Sequence, residues 1–193
     1  VFVGRYPEEL EAIFGPAWPA WPAEDFALIS QPIDFLGVNY YTRNIVRSDK
    51  ISENENAPRT MFPVGEITEM DWEVYPEGLY KILGRLWFDY DFPAIYVTEN
   101  GAAFVDHVGA NGEVDDPSRV AYFQGHIEQV HRAIQAGIPV KGYFAWSLMD
   151  NFEWGFGYSK RFGLIHVDYE TQKRTLKSSA KWYRETVKRN ALA

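Results

Sequence analysis

Residues 94–101 read AIYVTENG and join a short apolar run to an acid that is followed by Asn-Gly. The run from Ala94 to Thr98 is typical of a strand that is buried on both faces, as in a parallel sheet. Glu99 follows this run directly. An ionised carboxylate is costly to bury unless it is hydrogen-bonded or paired with a positive charge. Glu99 is therefore either a turn carboxylate that accepts backbone N–H bonds or a functional acid at the end of a strand.

Two similar apolar runs lie on either side of this segment. Residues 34–41, DFLGVNYY, precede it, and residues 140–146, VKGYFAW, follow it. Each run ends in polar or aromatic residues, as expected of a buried parallel strand whose carboxyl end opens onto a site. Three buried strands joined by helices predict an α/β fold.

Helices are predicted from hydrophobic periodicity and from the positions of proline and glycine. The clearest one begins at Pro117, with Asp116 as its N-cap, and ends before Gly137. The others are predicted at 8–14, 25–30, 76–92 and 177–189, and a hairpin through 165–168 precedes the last of them. Residues 48–70 are polar and lack any period, which predicts a long loop.

Strands that alternate with helices, with acids and aromatic rings after their carboxyl ends, are the pattern of a TIM (β/α)8 barrel, in which chemistry takes place at the C-terminal face. The sequence supplies three such strands, whereas a closed TIM barrel needs eight. Three parallel strands alone would leave two unpaired edges and an uncovered apolar interior. We therefore predict that residues 1–193 form a single partial domain of a larger α/β barrel.

Composition disfavours several classes of protein. Of the 193 residues, 46% are hydrophobic and 24% are charged, which indicates a folded core rather than disorder. The net charge of -8 disfavours nucleic acid as a partner, because an acidic surface repels phosphates. No apolar stretch approaches the length of a membrane span, and no apolar leader opens the sequence. We therefore expect no membrane partner and a cytoplasmic location.

Cysteine and histidine offer no metal site. The chain has no cysteine, which excludes disulfides, thiolate zinc sites and a cysteine nucleophile. His126 and His131 are five residues apart on a predicted helix, which is a poor spacing for two ligands of one ion. His107 and His166 have no acidic or thiol companion at motif distance. We expect no metal ion and no cofactor.

Three blocks of the sequence closely resemble the C-terminal part of glycoside hydrolase family 1, the retaining β-glucosidases. They are DFLGVNYYTR (34–43), IYVTENGAAF (95–104) and the aromatic-rich GYFAWSLMDNFEWGFGYSKRFGLIHVDY (142–169). The similarity extends from GRYPEEL, which begins at residue 4, to KWYRETVKRN, which ends at residue 190. The resemblance implies strands 6 to 8 of a TIM (β/α)8 barrel that is completed by an N-terminal complement.

The resemblance also implies a role for each residue that matches a family motif. Glu99 in T-E-N-G matches the nucleophile, and Tyr41 in N-Y-Y matches the phenol that hydrogen-bonds it. The positions that match substrate contacts are Asn39 in the same subsite, Trp146, Glu153 and Trp154 at the floor and polar clamp of the glycone site, Phe162 at its aromatic wall, and Trp72 at the aglycone entrance. Indole faces suit the C–H face of a pyranose, and a carboxylate can accept bonds from two of its hydroxyls.

Glu153 also bears on the choice of substrate. Family members that act on 6-phosphosugars resemble this motif but usually carry Ser where Glu153 stands. A negative charge at that position repels a 6-phosphate. The resemblance therefore implies unphosphorylated β-glucosides or cello-oligosaccharides as substrates, with β-galactosyl and β-fucosyl residues as alternatives to β-glucosyl.

One catalytic group is missing from the sequence. Retaining hydrolysis needs a second carboxyl group, about 5 to 5.5 Å from the first, to protonate the leaving oxygen. The family's acid/base lies in a T-x-N-E-P motif, which does not occur here, and Glu53 and Glu55 lie in the predicted loop without a preceding strand. We expect a separate chain, the N-terminal half of the same barrel, to supply this acid.

Two other interpretations stay open at the level of sequence. The chain could be a sugar-binding module that does no chemistry, or an inactive truncation fragment. A sugar-binding module has no need of an acid aimed at an anomeric carbon. Glu99 together with Tyr41 therefore favours the nucleophile-bearing half of a retaining β-glucosidase.

Overall fold

The computed structural model describes residues 1–46, 60–61, 63, 65–90 and 92–192. Within them lie five α-helices: α1 (Glu9–Phe14), α2 (Ala23–Ile29), α3 (Pro76–Asp89), α4 (Pro117–Gln135) and α5 (Ser178–Arg189). The same residues form seven strands: β1 (Leu36–Asn39), β2 (Ile45–Val46), β3 (Thr60–Met61), β4 (Ile95–Asn100), β5 (Val140–Ala145), β6 (Ile165–Val167) and β7 (Arg174–Leu176). The predicted helices and buried strands are confirmed, with ends that differ by a few residues. None of the described helices combines the length and the hydropathy that crossing a bilayer requires.

The strands β1, β4 and β5 form one parallel sheet with β4 in the middle. Asn39 lies opposite Glu99 on one side of β4, and Ala145 lies opposite Asn100 on the other. The ladder continues past Ala145, because the Trp146 N–H donates to the Asn100 carbonyl at 2.8 Å. The carboxyl ends of all three strands therefore meet at one edge of the sheet, and Glu99 lies at its centre.

The helices α3 and α4 cover one face of this sheet. Their apolar residues recur every three or four positions, so that each helix has one apolar side, which packs against the strands. The core between them consists of Val38, Leu79, Leu83, Ile95, Val97, Val130, Ala133, Ile138 and Val140. Each large aliphatic side chain buried in this way contributes about 1.5 to 3 kcal/mol. This packing fixes β4 against its helices.

The opposite face of the sheet is open in the described part of the chain. Phe35 and Phe144 are 52% and 56% exposed, and the Thr98 side chain beside them faces solvent. The rings of Phe35 and Tyr96 meet edge to face at 5.1 Å. Parallel sheets are normally covered on both faces. The exposed rings of Phe35 and Phe144 lie on the face that the described residues leave uncovered.

A second apolar cluster joins the last helix to the body of the chain. Its buried members are Ala102, Tyr122, Phe123 and Leu164, and α5 contributes Ala180, Trp182 and Tyr183. The hairpin of β6 and β7 leads into α5, with Ile165 opposite Leu176. The predicted hairpin and final helix are therefore confirmed.

Asp116 occupies the N-cap position of α4, as predicted, but its side chain makes no capping hydrogen bond. Its carboxylate accepts instead from the Ser179 backbone N–H at 2.8 Å and from the Arg119 guanidinium at 2.5 Å. An unpaired buried guanidinium costs several kcal/mol, whereas a missing N-cap costs about 1 kcal/mol. Pairing Asp116 with the buried Arg119 is therefore the more stable arrangement.

The prediction of an irregular loop over residues 48–70 is wrong at one point. Thr60–Met61 forms the strand β3, which pairs antiparallel with Ile45–Val46. Most of the remaining segment, including Glu53 and Glu55, lies outside the described residues.

His126 is a buried residue of α4. Its ring stacks on Tyr122 with 3.9 Å between the ring centroids, and its Nδ1 lies 2.7 Å from the Tyr122 carbonyl oxygen. Its Nε2 has no hydrogen-bond partner among the described residues. Burial lowers the pKa of His126 from 6.5 to about 4, because the charged imidazolium would lose its hydration. His126 is thus a neutral core residue.

We predict that His126 makes folding stability depend on pH. Between pH 6.5 and pH 4 the imidazole of His126 binds a proton in the unfolded state but not in the folded state. The contribution of His126 to the free energy of unfolding is therefore complete above pH 6.5 and is lost as the pH falls toward 4. The expected loss between pH 7 and pH 5 is roughly 2 kcal/mol. Urea unfolding of the chain at both pH values measures it.

The matched control is the exposed His131 on the same helix. His126→Phe should remove about 2 kcal/mol of the pH dependence, whereas His131→Phe should leave the pH dependence unchanged. A His126→Phe variant with the full pH dependence contradicts the assignment.

Candidate active site

Glu99 and Tyr41 meet at the carboxyl edge of the sheet. The Tyr41 hydroxyl donates a hydrogen bond of 2.5 Å to Oε2 of Glu99. Burial raises the pKa of Tyr41, and the bond to the Glu99 carboxylate raises it further. The phenol therefore keeps its proton and donates to the carboxylate. Of the two interpretations of Glu99, this contact favours the functional acid.

Asn39 lies beside this pair on the open face of the sheet. It is opposite Glu99 in the β1–β4 ladder, and its Oδ1 accepts a hydrogen bond of 2.7 Å from the Thr98 hydroxyl. Asn39 is exposed and does not line the cleft that the other predicted residues share.

A cleft of about 430 Å³ opens above Glu99. It is lined by seven of the eight predicted site residues, namely Tyr41, Trp72, Glu99, Trp146, Glu153, Trp154 and Phe162. Met70, Gly155 and Phe156 line it too. The sequence did not single these three out, although Gly155 and Phe156 lie within the aromatic-rich block. The volume is within the range of small-molecule sites, about 300 to 1,000 Å³.

Aromatic rings form the walls of the cleft. Trp72 lies 5.3 Å from the Tyr41 ring and 6.3 Å from the Phe162 ring, centroid to centroid. Phe162 is almost fully buried and fixed, whereas Trp154 is 84% exposed and presents its indole to solvent. Rings of this kind can stack on the C–H face of a sugar.

Glu153 brings a second carboxylate to the cleft. Burial raises the pKa of Glu153, and the nearby Glu99 carboxylate raises it further because like charges repel. The Glu153 N–H donates to the Gly157 carbonyl at 2.7 Å, which closes a tight turn through Trp154–Phe156. This turn holds the carboxylate over the cleft, where it can accept hydrogen bonds from hydroxyl groups.

Gly101 explains why the acid is followed by Asn-Gly. A Cβ atom at Gly101 would overlap the carbonyl oxygen of Trp146. The missing side chain lets the backbone after β4 approach the backbone after β5 closely. Trp146 is thereby brought next to the end of the strand that carries Glu99.

The loop between β5 and β6, here called the aromatic loop (residues 146–164), is held from below by Asp150. The Asp150 carboxylate accepts from Lys177 Nζ at 2.8 Å and from Arg161 at 2.6 Å. It also accepts from the N–H groups of Gly163 and Val167. Burial alone would raise the pKa of Asp150, but Lys177 and Arg161 outweigh burial and lower it. Asp150 is therefore an anion at neutral pH.

The same ionic network continues into the start of α4. Lys177 Nζ lies 2.5 Å from Asp106, and the guanidinium of Arg119 bonds both Asp106 and Asp116. The side chains of Lys177, Arg119 and Asp106 are completely inaccessible to solvent. Three carboxylates and three cations, including Arg161, thus balance one another.

Comparisons with known proteins show which family the chain belongs to. The sequence profile described as glycosyl hydrolase family 1 matches residues 1–192. The chain belongs to this family. Beta-glucosidase A of Acetivibrio thermocellus is 44% identical over 193 residues, and Beta-glucosidase A of Thermotoga maritima is 45% identical over 195 residues.

The solved relatives confirm the fold prediction. The family 1 β-glucosidase from Thermotoga maritima superposes on this chain with a TM-score of 0.91 at 45% identity. The superposition covers 100% of this chain and 43% of that chain. The two Beta-glucosidase A relatives are likewise matched over 43% of their length. The chain is therefore a partial α/β fold that corresponds to part of a family 1 TIM barrel.

The described residues contain no group of three or more His, Asp or Glu side chains that could hold a metal ion. The buried carboxylates Asp106, Asp116 and Asp150 are each engaged by a cation.

We predict that Lys177 is required to hold the aromatic loop. Lys177→Met removes the shared cation of two buried carboxylates, and this should lower the free energy of unfolding by about 3 to 5 kcal/mol. Lys181→Met is the matched control, since Lys181 pairs with Glu113 on the surface at 2.8 Å. The control should lose less than about 1 kcal/mol. Urea unfolding compares them, and equal losses would contradict the role of the network.

Proposed function

We propose that this chain is the nucleophile-bearing part of a retaining β-glucosidase. The observation that carries the proposal is the hydrogen bond of 2.5 Å between Tyr41 and Glu99 at the base of an aromatic cleft. A carboxylate held by a phenol, with rings for a sugar face and Glu153 for its hydroxyls, is suited to glycosyl transfer. The relatives named Beta-glucosidase A support the same activity.

In the proposed reaction, one Glu99 oxygen attacks the anomeric carbon of the bound glucosyl residue. The bond from the anomeric carbon to the leaving oxygen breaks, and its electron pair departs with that oxygen, which takes a proton from the acid/base. An ester then joins Glu99 to the sugar. Water, deprotonated by the same acid/base, cleaves this ester and restores the Glu99 carboxylate. Two inversions retain the β configuration.

Tyr41 has a defined part in this sequence. Its hydrogen bond fixes the orientation of the Glu99 carboxylate, because Oε2 accepts from the phenol while Oε1 stays available for attack. The raised pKa of Tyr41 keeps the phenol neutral throughout the working pH range. The phenol therefore orients the nucleophile and does not compete with it.

The acid/base has to come from elsewhere in the barrel. Glu153 is the other carboxylate of the cleft, and we assign it to the sugar hydroxyls because it belongs to the turn beside Trp154 rather than to a strand end. The five missing β/α units would supply the proton donor and would cover the exposed rings of Phe35 and Phe144. We propose an N-terminal complement of the same barrel as this partner.

The proposed substrates are terminal β-D-glucosyl residues of β-glucosides or cello-oligosaccharides. A relative from Thermotoga neapolitana is named 1,4-beta-D-glucan glucohydrolase, and one from Bifidobacterium breve is named a bifunctional beta-D-glucosidase/beta-D-fucosidase. Solved relatives are complexes with castanospermine and deoxynojirimycin. The negative charge of Glu153 disfavours 6-phosphosugars at the same subsite.

The proposal predicts that Glu99 is indispensable in a completed barrel. Residues 1–192 of this chain replace the matching segment of Thermotoga maritima Beta-glucosidase A, which gives a chimeric barrel with every strand present. Glu99→Gln keeps the side-chain size but removes the charge and the nucleophile. Hydrolysis of an aryl β-glucoside should fall by roughly ten-thousand-fold or more.

Glu170→Gln is the matched control, since Glu170 is an exposed carboxylate of the hairpin between β6 and β7. This control should hydrolyse the aryl β-glucoside at the rate of the parent chimera. A Glu99→Gln chimera with parental activity contradicts the proposal, because hydrolysis would then not depend on the Glu99 carboxylate.

A further inference from the structure

Behind the Tyr41–Glu99 pair lies a buried cluster of neutral polar groups centred on Asn100. The Asn100 side chain is completely inaccessible to solvent, and all its polar atoms are engaged. Its Nδ2 donates to the Tyr40 carbonyl at 2.7 Å and to the Tyr122 hydroxyl at 3.1 Å. Its Oδ1 accepts from the Tyr143 hydroxyl at 2.6 Å. The amide orientation is fixed by these three bonds together.

The cluster reaches Tyr41 through Tyr122. The Tyr122 hydroxyl, on α4, donates to the backbone carbonyl of Tyr41 at 3.0 Å. Burial raises the pKa of Tyr122 and of Tyr143, so both phenols stay protonated and able to donate. The carbonyls of two consecutive residues, Tyr40 and Tyr41, are thus held by side chains from β4 and α4.

These two bonds lie where the β1–β4 ladder ends. The Tyr40 N–H still donates to the Glu99 carbonyl at 2.9 Å, and beyond this bond the chain leaves the sheet. Tyr41 is therefore placed relative to Glu99 by the side chains that hold its own and the preceding carbonyl. A displacement of the Tyr41 backbone by a few tenths of an ångström would lengthen the hydrogen bond between the Tyr41 phenol and the Glu99 carboxylate.

We propose that Asn100 and Tyr122 are positioning residues that set the Tyr41 phenol at hydrogen-bonding distance from Glu99. Neither side chain lines the cleft, so both act through Tyr41. Only the expected loss of catalytic activity rests on the proposed function. The effect of Asn100 and Tyr122 on the Tyr41–Glu99 hydrogen bond can be measured in this chain without any substrate.

The first experiment observes Tyr41 directly. The 193-residue chain is labelled with tyrosine carrying carbon-13 at Cζ, and Tyr41→Phe identifies the Tyr41 resonance. Glu99→Gln calibrates the shift that follows when the charged acceptor is lost. Tyr122→Phe should move the Tyr41 resonance in the same direction by a substantial part of that shift. Tyr122→Phe keeps the ring and its stacking, so the loss of the hydroxyl is isolated.

The control is Tyr183→Phe, which removes a phenol that donates to the Tyr143 backbone at 3.3 Å. It should leave the Tyr41 resonance in place. The second variant is Tyr143→Phe, which removes the hydroxyl that donates to Oδ1 of Asn100. This variant decides the question if Tyr122→Phe does not fold. It should cause a smaller shift in the same direction. An unmoved Tyr41 resonance in the folded variants overturns the proposal.

The second experiment measures coupling in the chimeric barrel. Tyr122→Phe should lower kcat/KM by about fivefold to tenfold, the size expected for one lost hydrogen bond, when Tyr41 is present. In a Tyr41→Phe background, Tyr122→Phe should lower kcat/KM by less than about twofold, because the Tyr41 hydroxyl that Tyr122 positions is then absent. Independent, additive losses would indicate a general structural role and contradict the inference. An inactive parent chimera would count against the proposed function, while the resonance of Tyr41 would still decide the positioning role.

Discussion

The site depends on one constraint, which is the pairing of β4 with a parallel neighbour on each side. Because the three strands run in the same direction, their carboxyl ends must emerge at one edge. Glu99 lies at the end of the central strand, with Tyr41 just past one neighbour and Trp146 just past the other. Every residue of the cleft is attached to these ends or to the loops that follow them. The packing of α3 and α4 on one face of the sheet keeps this edge in register.

The aromatic loop is held at its base by backbone hydrogen bonds, because residues 147–150 bond to residues 162–165 directly after β5. A buried ionic network adds to these bonds. Asp150, Lys177 and Arg161 join the loop to the start of α5, and Arg119 joins the same network to α4. Burying charges is costly, yet each carboxylate of this network is matched by a cation, and Asp116 and Asp150 also accept from backbone N–H groups. The backbone bonds and the network together hold the loop where Glu153 and Trp154 line the cleft.

The sequence predicted the strands, the helices and the acid at a strand end, because hydrophobic periodicity and proline positions are local signals. The resemblance added roles for Tyr41, Trp72 and the aromatic loop, and all but one of the named residues share the cleft. The ionic network was not predicted, since Lys177 and Asp106 are 71 residues apart and their pairing exists only in the folded chain. Asp116 takes the predicted N-cap position, but its carboxylate binds Arg119, three residues on, and the N–H of Ser179, 63 residues on, instead of capping the helix. Met70 carries no signal in the sequence that would mark it as a cleft residue.

The central claim is that Glu99 forms a covalent bond with the sugar during turnover. The most direct test is to incubate the chimeric barrel with a 2-deoxy-2-fluoro-β-glucosyl fluoride, digest it, and analyse the peptides by mass spectrometry. A fluorinated substrate slows hydrolysis of the ester more than its formation, so the intermediate accumulates. We predict one added fluoroglucosyl group on the peptide that contains Glu99, and its absence after Glu99→Gln. A label on Glu153 or on any other carboxylate would contradict the account.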